Sequence, residues 1–335
     1  MDHVGILKRA FNITRRYRVL WVFGILLALF SSSGGGGSGP NVSIPGGRGT
    51  GNIPPGFVPP TVDPGAIAGI AIACCCLLLL FVVAGIIISY LARTALYRMV
   101  DEIEETGASP SWREGFRLGW SKRTLRLFGI DLVIGIPFAI AVILLLLLAL
   151  SPLLLLTVDN NALEVLSIVM TIGLVLLAIV LIIVASVIVN VVKRFMHRQA
   201  ALEGRSVGQS IVLGYQMVRA NLKDSAVMWL LMLGVGFGWG IVMIPVVIIV
   251  LLLAGAVGGI PAWLIWQATE VIWLTLLVGI PLFLLILIPP LVFLNGLYIV
   301  FQSSTWTLTY REFKERGWGL EAGSPRLGAG NTERA

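Results

Sequence analysis

The stretch SWREGFRLGWSKRTLRLFGIDLVIGIPFAIAVILLLLLALSPLLLL, residues 111–156, decides the fold of this chain. Its first third is rich in basic and aromatic residues, and in the apolar remainder, 128–156, the only ionisable residue is Asp131. About 20 apolar residues suffice for a helix to cross the hydrocarbon of a bilayer. The stretch therefore predicts a basic segment at a membrane surface, followed directly by a transmembrane helix.

The composition of the whole chain agrees with this interpretation. Of the 335 residues, 57% are hydrophobic and 12% are charged, and the mean hydropathy is +0.95. A soluble domain carries roughly 25% charged residues. The net charge of +7 favours anionic lipid headgroups, which attract basic residues at one membrane surface. We therefore expect membrane lipids, and no nucleic acid, as partners.

Similar apolar runs recur along the chain. Three more are long enough to span a bilayer, at 66–92, 164–192 and 225–254. The run Val19–Phe30 is short, so we expect it to extend into the basic residues before it. The last run, 268–310, contains the Pro289-Pro290 pair and other prolines, which predict one broken or strongly kinked helix. The total is six transmembrane helices.

The basic residues indicate the orientation of these helices. Of the 24 lysines and arginines, 5, 7, 6 and 5 fall in segments 1–18, 93–127, 193–225 and 311–335, and the other gaps hold only Arg48. Basic residues in short loops stay on the cytoplasmic side. This predicts an inner-membrane protein with both termini cytoplasmic and an outward-facing, disordered Gly/Pro-rich loop at 31–64. A cleaved signal peptide is the alternative for the first run.

An internal repeat of roughly 100 residues organises the chain. FNITRRYRVLWVFGI at 11–25 aligns with FRLGWSKRTLRLFGI at 116–130, and a third copy begins at Gly204. Each copy ends in an aromatic-Arg pair, at Tyr97-Arg98, His197-Arg198 and Tyr310-Arg311. We predict an all-α integral membrane protein of three helical hairpins with cytoplasmic amphipathic entry helices, in units 1–107, 108–204 and 205–317, and a disordered tail at 318–335.

Two entry segments begin with a capping box, Ser111 to Glu114 and Ser206 to Gln209. Aromatic residues then recur on one helix face with arginines on another, which is typical of a helix in the headgroup plane. Packing of the aromatic face against other helices is the alternative, and both are compatible. The lipid-interface candidates are Trp112, Arg113, Phe116, Arg117, Trp120 and Tyr215.

No catalytic, cofactor or metal motif is present in the sequence, so we expect no enzyme activity and no cofactor. Polar residues inside apolar runs are the remaining functional candidates. They are Asp131, Asn190, Asn295 and Gln302. A pair with the nearby Arg126 or Lys122 is the structural alternative for Asp131.

Three motifs carry a family resemblance: LKRAFNITRRYRVLWVFGIL at 7–26, the FRLGW-like segments after Gly107, and FQSSTWTLTYREF at 301–313. With these motifs the chain resembles uncharacterised bacterial six-helix membrane proteins related to the membrane domain found beside glycerophosphodiester phosphodiesterases. The resemblance covers most of 1–317 apart from the loop at 31–64. The catalytic barrel of that family has no counterpart here, so the resemblance implies a membrane module in lipid or envelope processes without phosphodiesterase activity.

Two functions follow as hypotheses. The first is a non-catalytic membrane scaffold or partner subunit, which uses its amphipathic helices to engage anionic lipids or another membrane protein. The second is a transporter or permease component, suggested by the broken last helix and by Asp131.

Overall fold

A computed structural model describes residues 1–30, 64–108, 110–157 and 161–318. Within these ranges the chain is helical and contains no strand. Its α-helices are α1 His3–Arg16, α2 Val19–Phe30, α3 Pro64–Thr106, α4 Trp112–Gly119, α5 Lys122–Leu150, α6 Asn161–Leu202, α7 Val207–Ala220, α8 Leu222–Thr269 and α9 Ile272–Phe313.

Five of these helices, α3, α5, α6, α8 and α9, are long and apolar enough to cross a membrane. The α2 helix is apolar but has 12 residues, about 18 Å of helix against roughly 30 Å of hydrocarbon. Its expected extension into the preceding basic stretch is wrong. A break at Tyr17 separates α1 from α2, because the Tyr17 backbone leaves the helical region, at φ −101° and ψ 83°. The Trp21 indole N–H donates to the Thr14 carbonyl across the break.

The last apolar stretch forms one helix, as predicted, but the break expected at the proline pair is absent. The α9 helix is continuous from Ile272 to Phe313 and contains Pro281, Pro289 and Pro290. Each proline removes one backbone donor, and transmembrane helices tolerate such losses when the freed carbonyls find other donors nearby. The predicted loop at 31–64 and tail at 318–335 lie outside the described residues, except that α3 begins at Pro64 and Trp318 ends the last helical turn.

The packed core lies where the lysines and arginines of the described chain are concentrated. We call this part the basic end: α1, α4 and α7 together with the adjoining ends of the long helices. Phe195 stacks on Phe313, with ring centroids 5.5 Å apart, and meets Trp306 edge-on at 5.9 Å. By contrast, only 6–11% of the most apolar window of each span is buried within the chain. Tertiary packing is therefore concentrated at the basic end.

The three short helices of the basic end each pack on one long helix: α1 on α9, α4 on α3 and α7 on α6. Both predicted capping boxes are confirmed, at the starts of α4 and α7. Each short helix turns two small residues, four positions apart, into the bundle. These buried pairs are Ala10 and Thr14, Gly115 and Gly119, and Ser210 and Gly214.

Candidate functional site at the basic end

The long helices α3, α6 and α9 contact one another and form the centre of the bundle. Arginines near the ends of these helices join them to neighbouring segments through backbone carbonyls. Arg98 of α3 donates to the Leu118 carbonyl on α4, Arg198 of α6 to the Ser303 carbonyl on α9, and Arg311 of α9 to the Asp101 carbonyl on α3, each at 3.1 Å. Together these bonds connect α3, α4, α6 and α9.

Asp131 of α5 is held by α6 and α3, not by its own helix. Its carboxylate accepts from the Lys193 ammonium at 2.9 Å and from the Tyr90 hydroxyl at 2.9 Å, and it lies 3.3 Å from the His197 ring. The alternative pairing with Arg126 or Lys122 is wrong. Arg126 turns away to donate to the Gly204 carbonyl, just beyond the end of α6. Arg123 of α5 donates to the Ala201 and Leu202 carbonyls, each at 2.9 Å, so α5 contributes one ion pair and one helix cap to α6.

Arg198 is buried without a carboxylate partner among the described residues. Its guanidinium donates to the Thr307 hydroxyl at 3.2 Å and to the Arg194 carbonyl at 2.6 Å, as well as to Ser303. It also lies 4.6 Å from the centroid of the Tyr97 ring. These neutral acceptors and the ring compensate part of the free-energy cost of burying the charge.

Arg194, one turn earlier on α6, is partly buried. Its guanidinium lies 4.8 Å from the centroid of the Trp306 ring. No carboxylate of the described chain pairs with it, and its side chain donates no hydrogen bond there.

Glu203, just beyond the end of α6, links that end to α9. It accepts from the Tyr310 hydroxyl at 3.1 Å and from the Lys314 ammonium at 2.8 Å. Burial opposes ionisation of the carboxyl group, but Lys314, Tyr310 and Arg205 outweigh it, so the pKa of Glu203 lies below its ordinary value. Glu203 is therefore ionised at neutral pH and stabilises the contact between α6 and α9.

The aromatic lipid-interface candidates divide into two groups. Trp112, Trp120 and Tyr215 are exposed, at 53%, 78% and 52% of their surface. Phe116 instead packs on Phe23 of α2, with ring centroids 5.2 Å apart. Arg113 lies over the Trp112 ring at 5.2 Å. Packing against other helices therefore describes Phe116, whereas the lipid interface stays a prediction for the exposed residues.

The exposed arginine candidates add positive charge to the surface that carries the exposed aromatic candidates. Arg113 and Arg117 are exposed and form no ion pair with the described residues. Among the intramembrane candidates, Asn190, Asn295 and Gln302 are partly buried and make no side-chain hydrogen bond within the described chain. Among these four predicted polar residues, only Asp131 forms a side-chain hydrogen bond or ion pair with another helix of the described chain.

Sequence reasoning missed Arg194 and Arg198 as residues at the centre of the bundle. One signal was available, since Arg194 and Arg198 stand four residues apart at the end of an apolar run. The convergence of α3 and α9 on that face of α6 was not readable from spacing. No group of three or more His, Cys, Asp or Glu side chains suited to a metal occurs within the described ranges.

These features define a polytopic α-helical membrane protein whose packed core and basic groups, in the described part of the chain, lie at one end. Over residues 2–309 the chain matches the group described as Family of unknown function (DUF7544), and it belongs to that family. No curated protein and no solved structure matches the chain.

Proposed function

We propose that this protein is a non-catalytic membrane scaffold or partner subunit that engages anionic lipids, or a second membrane protein, through its basic end. One contrast carries the proposal. The basic end is tightly packed and exposes aromatic and basic side chains, whereas the spans bury little of their surface within the chain. Exposed tryptophans and unpaired arginines suit the membrane interface, where the ring and the charge are both accommodated.

The architecture that we propose has six spans in three repeated units, with both termini cytoplasmic. The order of a short helix followed by two apolar helices supports it, since α1–α3, α4–α6 and α7–α9 share it. The three carbonyl bonds of Arg98, Arg198 and Arg311 also support it, because each arginine reaches the next unit and the last one returns to the first. The α2 helix would be the remaining span.

A relationship to the membrane domains beside glycerophosphodiester phosphodiesterases belongs to the same proposal. It is supported by the entry and exit motifs of the sequence, and the described helices that contain these motifs, α1, α2 and α9, meet at the basic end. The proposed role concerns lipid or envelope processes in the inner membrane, and not the phosphodiesterase reaction.

The proposal is tested by isolating the protein in a mild detergent and counting the lipids and proteins that remain bound. We expect anionic lipid enriched over its share of the membrane, or a second protein at fixed stoichiometry. A variant with Arg113, Arg117 and Lys122 all changed to Gln should retain less anionic lipid, because these exposed cations have no ion-pair partner in the described chain. A solitary chain that is indifferent to lipid composition would contradict the proposal.

Transport is the second candidate, and one observation favours it. Asn190, Asn295 and Gln302 leave their amides without hydrogen bonds to described residues, as groups that face a polar path would. The continuity of α9 removes the helix break from this hypothesis. Reconstituted vesicles that show no solute flux would exclude it.

A further inference from the structure

A basic segment, residues 311–318, follows directly on the packed core of the basic end. Phe313 is the last buried residue of α9, and its ring stacks on Phe195 of α6. After it, Lys314–Trp318 form one π-helical turn, a geometry that is rare and occurs mostly as single turns. Residues 314–316 are exposed, so burial of apolar surface does not hold them in place.

Ion pairs connect this segment to three other parts of the bundle. Each of three basic residues in it pairs with a carboxylate on a different element: one on α3, one just beyond the end of α6 and one in the first turn of α8. The pairs are Arg311 with Asp101 at 2.7 Å, Lys314 with Glu203 at 2.8 Å, and Arg316 with Asp224 at 3.1 Å. One short segment therefore contacts an acidic residue of each of the three proposed units.

The carboxylates of the last two pairs are held more firmly than their basic partners. Asp224 also lies 3.5 Å from Nε2 of His3 on α1, and Glu203 also accepts from the Tyr310 hydroxyl. The side chains of Lys314 and Arg316 are 53% and 42% exposed, against 19% and 27% for the two carboxylates. If these pairs separate, the basic turn is therefore the part that moves.

Ion pairs that are this exposed respond to dissolved salt. The Debye length falls from about 10 Å at 0.1 M to about 3 Å at 1 M salt, and a single exposed pair is weak even before screening. The described polar contacts of Lys314 and Arg316 with other helices are the ion pairs with Glu203 and Asp224. Salt therefore weakens the attachment of this turn more than it weakens the buried aromatic core.

We propose that residues 311–316 form an ionic clasp, which is closed at low ionic strength and opens as ionic strength rises. In the closed state Lys314 and Arg316 join the end of α9 to the end of α6 and the start of α8. In the open state the turn after Phe313 leaves both carboxylates, while the aromatic core stays packed. The salt concentration of the adjoining aqueous phase selects between these two states. Neither a lipid nor a second protein takes part in this switch, which therefore goes beyond the proposed function.

The test measures hydrogen–deuterium exchange of the backbone amides at 314–318 by mass spectrometry, because amide exchange reports local opening. The full chain is compared in dodecyl maltoside at 0.1 M and 1 M NaCl, with the amides of α7 as the internal reference. Glu203→Gln and Asp224→Asn are the test variants, since each keeps the size of the side chain and removes its charge. Glu315→Gln is the matched control, because Glu315 is exposed on the same turn and forms no ion pair with a described residue.

We expect 1 M NaCl to speed exchange at 314–318 about threefold to tenfold in the wild type and in Glu315→Gln, as for the loss of exposed ion pairs. Exchange in α7 should stay the same. At 0.1 M NaCl, Glu203→Gln and Asp224→Asn should already exchange faster at 314–318 than the wild type. Both should also respond less to added salt, because one of the pairs that salt screens is absent.

Exchange at 314–318 that does not depend on salt in the wild type would overturn the proposal. So would test variants that both match the wild type at 0.1 M NaCl. Faster exchange in α7 to the same extent as at 314–318 would mean that these pairs stabilise the whole basic end, and it would overturn the clasp as a local switch. If one test variant does not fold, the other variant and the salt response of the wild type decide.

Discussion

Asp131 shows how a single intramembrane carboxylate acquires a structural role. As the one ionisable residue of the apolar run 128–156, it was the leading transport candidate in the sequence. In the structure it forms an ion pair with Lys193 and accepts a hydrogen bond from Tyr90, so it ties α5 to α6 and α3. Both partners come from other helices, and both carry polar groups that would be left unpaired without it.

We predict that Asp131→Asn lowers the free energy of unfolding by roughly 2–4 kcal/mol, because it leaves the partly buried Lys193 without its counter-charge. Adding Lys193→Met should restore most of the loss, since it removes the orphaned cation as well. Unfolding in mild detergent, followed by circular dichroism, measures both effects.

The control for this prediction is Glu102→Gln, on the exposed side of α3, which should stay within about 0.5 kcal/mol of the wild type. A double variant as unstable as Asp131→Asn alone would show that the ion pair does not carry the effect.

At the scale of the element, the short helices depend on small residues rather than on their aromatic stripes. Gly119 and Gly214 bring α4 and α7 close to the long helices on which they pack. A Cβ atom on Gly119 would lie 2.7 Å from the Leu91 carbonyl oxygen, and one on Gly214 would lie 2.6 Å from Met196 Cγ and 2.9 Å from its Cα. The helix–helix distance is therefore set by the absence of a side chain.

The corresponding prediction concerns α7. Gly214→Ala should destabilise the protein by about 1–3 kcal/mol, because the new methyl group meets the backbone of Met196, which cannot move without shifting α6. Gly208→Ala on the same helix is the matched control, since its Cβ meets nothing within 4 Å. The control should be neutral or stabilise by a few tenths of a kcal/mol through helix propensity. Equal effects of the two substitutions on the thermal midpoint would contradict this account of the packing.

At the scale of the whole molecule, the polar and aromatic contacts that hold the helices together lie at the basic end. The spans bury little of their apolar surface within the chain, which suits a bilayer, because lipid tails solvate that surface and give the helices no hydrophobic reason to associate. Arginine–carbonyl bonds, ion pairs and the aromatic core join the helices where water is present. The proposed lipid and partner contacts would therefore act on the most densely packed part of the described chain.

The crossing number is tested by labelling at two positions. In a chain with Cys74, Cys75 and Cys76 replaced by Ser, single cysteines are introduced by Lys8→Cys or Ser43→Cys and exposed to a membrane-impermeant thiol reagent. Six spans with cytoplasmic termini predict that Ser43→Cys reacts in intact cells and Lys8→Cys only after permeabilisation. Labelling of both from the same side would mean that α2 does not cross, and that the five long helices are the only spans in the described part of the chain.

The sequence by itself determined the helical class, the apolar spans and the capped starts of α4 and α7, because hydrophobic length and capping chemistry are local properties. It also located the charges along the chain. It could not identify their partners: Asp131 meets Lys193 of α6, and Arg194 meets Trp306 of α9, across 62 and 112 positions of sequence. Only tertiary structure decided those pairings, since each depends on how helices distant in sequence pack. The same holds for the continuity of α9 and for the burial of Arg198.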